Sequence, residues 1–180
     1  MQIFETIESL QSALSGAAAN TLGFVPTMGN LHAGHLSLVS RARGEHDLVV
    51  VSIFVNPLQF GAKEDLDSYP RTIDADTAAL IAAGCDFLFL PSAAELYGDD
   101  MQASTRVQVP ELGTHYCGAS RPGHFDGVTT VVTKLFNIVQ PDAAYFGLKD
   151  YQQFSIIRKM VDDLALPVSV HGIETAREAS

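Results

Sequence analysis

Apolar residues fall into two patterns along the chain. Short, nearly continuous runs occupy Leu22-Gly23-Phe24-Val25, Leu48 to Val55, Phe87-Leu88-Phe89-Leu90, Ala143-Ala144-Tyr145-Phe146 and Val168-Ser169-Val170. Pro, Gly or Asn closes each run, as expected of strands buried on both faces. Between them the spacing becomes helical. Leu31, His35, Leu38 and Ala42 recur at i, i+4, i+7 and i+11 within Leu31 to Arg43. Val128, Val131, Val132, Leu135, Phe136 and Val139 mark a second helix, and Phe154, Ile157, Val161 and Leu164 a third. The stretch from Tyr97 to Arg121 is less regular and predicts a strand around Val107-Gln108-Val109 beside a mobile loop. Alternation of strands and helices predicts an α/β fold: a doubly wound parallel sheet with helices on both faces. Such sheets bind ligands beyond the carboxyl ends of their strands, so the residues just after each strand carry the functional information.

The first strand leads into Pro26-Thr27-Met28-Gly29-Asn30-Leu31-His32-Ala33-Gly34-His35. Gly29 permits a tight turn, and Gly34 lets a chain or ligand approach closely. His32 and His35 are spaced to share a face at a helix N-terminus, where free N–H groups and the helix dipole attract phosphate. The alternative is a pair of ordinary histidines; the buried strand and glycine turn ahead of them favour phosphate. After the second strand, Pro57 ends the run, and Asn56 and Gln59 are expected to project toward the ligand. A carboxamide there suits a hydroxyl or a carboxylate. Asp74 and Asp76 fall in the first turn of a helix after Tyr69-Pro70-Arg71-Thr72 and read as dipole-complementing residues rather than metal ligands. Arg121 and His124 sit in another glycine turn, either approaching phosphates or offsetting nearby carboxylates. After the strand ending at Phe146, Gly147-Leu148-Lys149-Asp150 places an ammonium at a helix start, with Asp150 suited to an N-cap and Gln153 one turn on. Backbone groups near Gly172 to Arg177 offer partners for an adenine edge.

Composition narrows the partners. The 180 residues include 11 basic and 21 acidic side chains, a net charge of −10, and such a surface repels nucleic acid and anionic membranes. Cys85 and Cys117 form no metal or disulfide pattern. Met1 to Glu5 shows no basic leader, and Leu48 to Val55 is too short to span a bilayer, so a cytoplasmic setting is expected.

Taken together, these strings resemble the pantothenate synthetase (pantoate–β-alanine ligase) family. Pro26 to His35 is similar to its form of the HxGH motif. Asn56 to Gly61, Tyr69 to Thr72, Arg121 to Phe125 and Lys149 to Gln153 follow in the family's order. The resemblance runs from the first helix to Ser180 and implies a Rossmann-like domain of the HxGH nucleotidyltransferase type. It further implies a homodimer and an ATP- and Mg-dependent condensation of pantoate with β-alanine, through pantoyl adenylate, with release of pyrophosphate and AMP. By the same resemblance His32, His35 (in the proton-donor position) and Lys149 are the catalytic groups. Met28, Gly29, Asn30, Leu31, His32, Ala33, Gly34, His35, Gly147, Leu148, Lys149, Asp150 and Ala176 would hold ATP, with Asp150 at the ribose and Ala176 at adenine. Gln59 and Gln153 would bind pantoate, Gln59 also lying near the path of β-alanine. No magnesium ligand is assigned.

Where the family usually carries glutamate this chain has Leu148, expected to face outward or lend only its backbone; Tyr116-Cys117 also departs. The family's serine-serine-arginine loop and C-terminal lid domain are absent, so residues 1–180 are expected to be the nucleotide-binding catalytic domain, inactive or weakly active alone. Two other readings stand beside this one. An ATP-binding or dimerisation module would bind ATP without releasing pyrophosphate. A different HxGH nucleotidyltransferase would want more cations for a second phosphate.

Overall fold

The computed structural model describes residues 1–61, 66–114 and 117–174. Its elements follow in the order β1 (Gln2–Phe4), α1 (Ile7–Gly16), β2 (Leu22–Thr27), α2 (Ala33–Glu45), β3 (Leu48–Ile53), α3 (Ile73–Ala82), β4 (Phe87–Phe89), α4 (Ala93–Tyr97), α5 (Cys117–Ser120), α6 (His124–Val139), β5 (Ala143–Gly147), α7 (Tyr151–Asp163) and β6 (Ser169–Ile173). The six strands form one sheet in the order β1-β4-β3-β2-β5-β6, and every pairing is parallel.

The continuous apolar runs are strands whose alternate residues enter two cores. Phe24, Val50, Phe89, Ala144 and Phe146 face α1, α6 and α7. Their neighbours Val25, Val49, Val51, Leu88, Ala143 and Tyr145 face α2 and α3. Burial on both sides of a parallel sheet removes the polar alternation that a one-sided strand would show. Cys85 is buried in the second core, where burial pushes its thiol up to about 12; it is a packing residue rather than a nucleophile.

One strand is added and two sequence expectations change. The edge strand β1 pairs with β4, although its three residues are too few to carry a pattern of their own. No strand forms at Val107–Val109. The Val107 N–H donates to Thr130 Oγ1 at 3.0 Å, and the Val107 carbonyl accepts from Thr129 Oγ1 at 2.5 Å. Hydroxyls from α6 thus satisfy the backbone groups that a sheet ladder would otherwise take. Leu148 is half-buried against the larger core, where a Cβ added at Gly172 would sit 2.4 Å from its Cδ2. It turns inward, because an apolar side chain at the mouth of β5 gains more from packing than from water.

The sheet reverses its winding between β2 and β5, which are neighbours. Both strands end at the same edge, and the crevice beyond a switch point of this kind is where open α/β sheets bind their ligands.

Candidate active site

The turn leaving β2 is held almost entirely by side chains. Gly29 and Asn30 both have positive φ, 82° and 52°. The Gly29 N–H donates to Thr27 Oγ1 at 3.2 Å. The Asn30 and Leu31 N–H groups donate to the two carboxylate oxygens of Asp76 at 2.9 and 2.8 Å. His32 is the N-cap of α2 rather than a residue inside it, with its Nδ1 accepting from the Gly34 N–H at 3.0 Å. Three residues on, His35 Nδ1 accepts from the His32 N–H at 3.4 Å, which completes a capping box built from two imidazoles. Gly34 leaves room for this cap: a Cβ would sit 2.8 Å from His32 Cε1 and push the ring aside. The close approach it permits is that of its own histidine cap.

This arrangement narrows the expectation of free N–H groups at the start of α2. The N–H groups of Gly29, Asn30, Leu31, His32 and Gly34 already have partners within the protein. What the turn chiefly offers a phosphate is its imidazoles. A ring nitrogen that accepts an N–H carries no proton, so both histidines bear theirs on Nε2 when neutral. The rings lie 4.2 Å apart. His35 is held below the ordinary histidine pKa first by burial, then by His32 and Lys149, with Asp76 acting in the opposite sense. His35 is therefore a neutral Nε2–H donor near pH 7.

Across the crevice stands the turn after β3. Asn56 does not project toward a ligand as its position in the sequence implied. It is 1% exposed; its Nδ2 donates to Gln59 Oε1 and to the Gly127 carbonyl, and its Oδ1 accepts from Tyr97 OH and the Leu58 N–H. All this bonding orients Gln59, whose Oε1 is occupied and whose Nε2 donates to Met28 Sδ at 3.1 Å. A thioether is a weak acceptor, so that N–H is ready for a better one. Gly127 lets the first turn of α6 approach, since a Cβ there would lie 2.4 Å from the Leu58 carbonyl oxygen. His124 is fixed as the Nδ1–H tautomer, donating to the Gln59 carbonyl at 2.8 Å while its Nε2 faces Arg121 Nη1 at 3.2 Å.

Two cavities meet at these groups. One, of about 180 Å³, is lined by His35, Gln59 and Gln153 and walled by Val128, Val131, Val132, Leu135 and Phe146. The other, of about 350 Å³, is lined by Lys149, Asp150, Tyr151, Arg121 and His124 and shares Met28, Gln59, Asp150 and Gln153 with the first. Gln153 and Lys149 thus line the same space, as their spacing implied. Asp150 caps α7 by position but makes no side-chain cap bond. His32 is exposed beside these cavities. A larger cavity of about 500 Å³ lies past Met28 and Gly29 toward Arg71, Thr72 and Asp76, and neither histidine lines it. Ala176 falls outside the described residues, as does Tyr116. Among the described residues no cluster of three or more His, Cys, Asp or Glu is arranged to hold a metal, and no helix is long and apolar enough to cross a membrane.

In sequence, Asp76 had only a dipole-complementing part, Asn56 a ligand-facing place rather than that of a buried brace, and Tyr97 no part at all. The partners that decide these roles lie far along the chain: Asn30 and Leu31 for Asp76, and Tyr97 and Gly127 for Asn56.

Comparison with known proteins identifies the family. The Pantoate-beta-alanine ligase family profile matches residues 2–180. A pantothenate synthetase of Alteromonas mediterranea is 57% identical over 100% of this chain and 64% of its own length. That of Saccharophagus degradans is 59% identical over 99% of this chain and 64% of its own. The chain thus spans a little under two thirds of the length of these curated relatives. Among solved structures, the pantothenate synthetase of Thermus thermophilus superposes with a TM-score of 0.93 at 52% identity, covering 99% of this chain and 63% of that one. The pantoate-beta-alanine ligase of Francisella tularensis, complexed with Beta-gamma ATP and Beta-alanine, gives 0.93 at 39% identity, covering 99% of this chain and 68% of that one. The chain belongs to the pantoate–β-alanine ligase family.

Proposed function

We propose that this protein binds ATP against the His32–His35 turn and pantoate in the apolar cavity, and joins them as pantoyl adenylate. A pantoate carboxylate oxygen attacks the α-phosphorus, the bond to the β-phosphate breaks, and pyrophosphate leaves. The amine of β-alanine then attacks the acyl carbon, giving pantothenate and AMP and releasing one proton. The observation that carries this reading is the meeting of His35, Gln59 and Gln153 around one cavity, with Lys149 in the next.

Each part has a physical reason. Pantoate is a small hydroxy acid with a dimethyl-substituted carbon, suited to a valine-lined wall with two carboxamides for its polar ends. Negative charge grows on the departing pyrophosphate, and two Nε2–H donors with a mobile ammonium stabilise it. Asp150, without a cap bond, is left to meet the ribose, and the turns at Met28 to His35 and at Gly147 to Asp150 flank the nucleotide; the expected adenine contact, Ala176, lies outside the described residues. Mg²⁺ is read as the companion of the ATP phosphates, where it neutralises charge. The Asp76 oxygens are engaged with backbone N–H groups and do not provide a ready ligand set for it. We further read the protein as a cytoplasmic homodimer acting on small molecules rather than nucleic acid. Its net charge of −10 supports the choice of partners, and the family relationship supports dimerisation.

Pyrophosphate release by the purified chain, with Mg-ATP and with or without pantoate, tests the reading. Pantoate-dependent release is expected. ATP binding without release would reduce the function to nucleotide binding, and absence of both would remove the site assignment.

A further inference from the structure

Asp74 and Asp76 stand together at the start of α3, yet the fold separates them. Asp74 is exposed, whereas Asp76 is 3% exposed and faces the turn between β2 and α2. Its Oδ2 accepts from the Asn30 N–H at 2.9 Å and the Thr72 hydroxyl at 3.1 Å, and its Oδ1 from the Leu31 N–H at 2.8 Å. A carboxylate survives burial only when its oxygens are bonded in this way. The turn it grips is one that a free chain avoids. Asn30 sits at φ 52° directly after Gly29 at 82°, and a non-glycine residue keeps that conformation only where its surroundings hold it. A Cβ on Gly29 would come within 3.1 Å of the same carboxylate, so the turn and the aspartate are packed against each other. The next residue after the gripped pair is His32.

We propose that Asp76 is the positioning residue of the nucleotide-binding turn: by fixing the Asn30 and Leu31 N–H groups it sets where α2 begins, and so where the His32 and His35 Nε2–H donors point. The inference rests on the reading that these donors meet ATP. It gives Asp76 a task apart from complementing a helix dipole or binding metal, and it explains how an aspartate on one crossover governs histidines on another. Its charge acts on His35 as well, opposing the effects of burial, His32 and Lys149.

The test compares the wild-type chain with Asp76→Asn and Thr72→Val, using calorimetry with Mg-ATP and nitrogen NMR of the imidazoles. An asparagine turns an N–H toward a backbone N–H, so the turn is released. For Asp76→Asn, Mg-ATP affinity is expected to fall about tenfold or more. The His35 titration should move further down, and both rings should lose the pure Nε2–H tautomer. Thr72→Val removes one neutral hydrogen bond and should weaken binding only about a few-fold. A folded Asp76→Asn with wild-type affinity, titration and tautomers overturns the proposal. If that variant does not fold, Thr72→Val decides, and unchanged ring signals and affinity overturn it. A wild-type chain that fails to bind Mg-ATP defeats the nucleotide reading, while the ring signals still judge the positioning role on their own.

Discussion

The turns leaving β2 and β5 begin on adjacent strands, and each leads into a helix of 13 residues. In sequence both are glycine turns with a polar cap residue, yet the structure treats them in opposite ways. The first has its backbone donors matched to Thr27, Asp76, His32 and His35 and places residues at positive φ. In the second, Gly147 has φ −75°, open to any residue, and Asp150 makes no cap bond. Lys149, Asp150 and Tyr151 are exposed. One side of the crevice is therefore fixed before a ligand arrives, and the other keeps its side chains available. The division suits a reaction that needs oriented donors at one point and an adaptable cation nearby, since the fixed donors need no reorganisation when charge develops.

The largest expected effects test whether both turns serve the same chemistry. His35→Ala and Lys149→Ala should each cut pantoate-dependent pyrophosphate release by roughly a hundred- to a thousandfold. Only His35→Ala should also lower stability, by about 0.5–2 kcal/mol, because it removes half of a capping box. Equal destabilisation by both in thermal unfolding would erase the distinction between the two turns.

Smaller, and more pointed, is a pair of glycine substitutions. Gly34→Ala drives a Cβ against the His32 ring, 2.8 Å from Cε1, and should cost about 1 kcal/mol through the lost cap together with ATP affinity measured by calorimetry. Gly147→Ala meets nothing within 4 Å and should stay within about 0.5 kcal/mol of wild type. Asp150→Ala should likewise leave the melting temperature in place, unlike the loss of an ordinary N-cap, while weakening ATP binding.

The smallest effect is one of pH. His35 has its folded pKa lowered, chiefly by burial. Below the ordinary histidine value of about 6.5, the unfolded chain takes up a proton that folded His35 resists. Stability should therefore decline as the pH falls through that range. His35→Gln, which takes up no proton there, should flatten this part of the curve in denaturant titrations; an unchanged slope would show that other groups set it.

Much of the fold was legible because its signals are local. Continuous apolar runs closed by Pro, Gly or Asn gave β2 to β5, and helical spacing gave α2, α6 and α7. His32, His35, Gln59, Lys149 and Gln153 stood out because each follows a strand, and in a parallel sheet the strand ends converge on one edge. β1 was too short to read. The strand expected at Val107–Val109 failed because alternation describes which faces are apolar and does not identify the hydrogen-bond partner. At that place two threonines on α6 supply it.

Residue order alone dictated the class of sheet, the residues at its carboxyl edge and the family to which they correspond. How those residues are held was settled by tertiary packing. Asp76 reaches a turn 45 and 46 residues away, Asn56 accepts from Tyr97 41 residues on and donates to Gly127 71 residues on, and Leu148 turns inward onto β6. Local patterns follow from backbone periodicity, which a short window of chain contains. The bracing of a buried polar group depends on which distant segment the packed core brings beside it, and no window along the chain holds both.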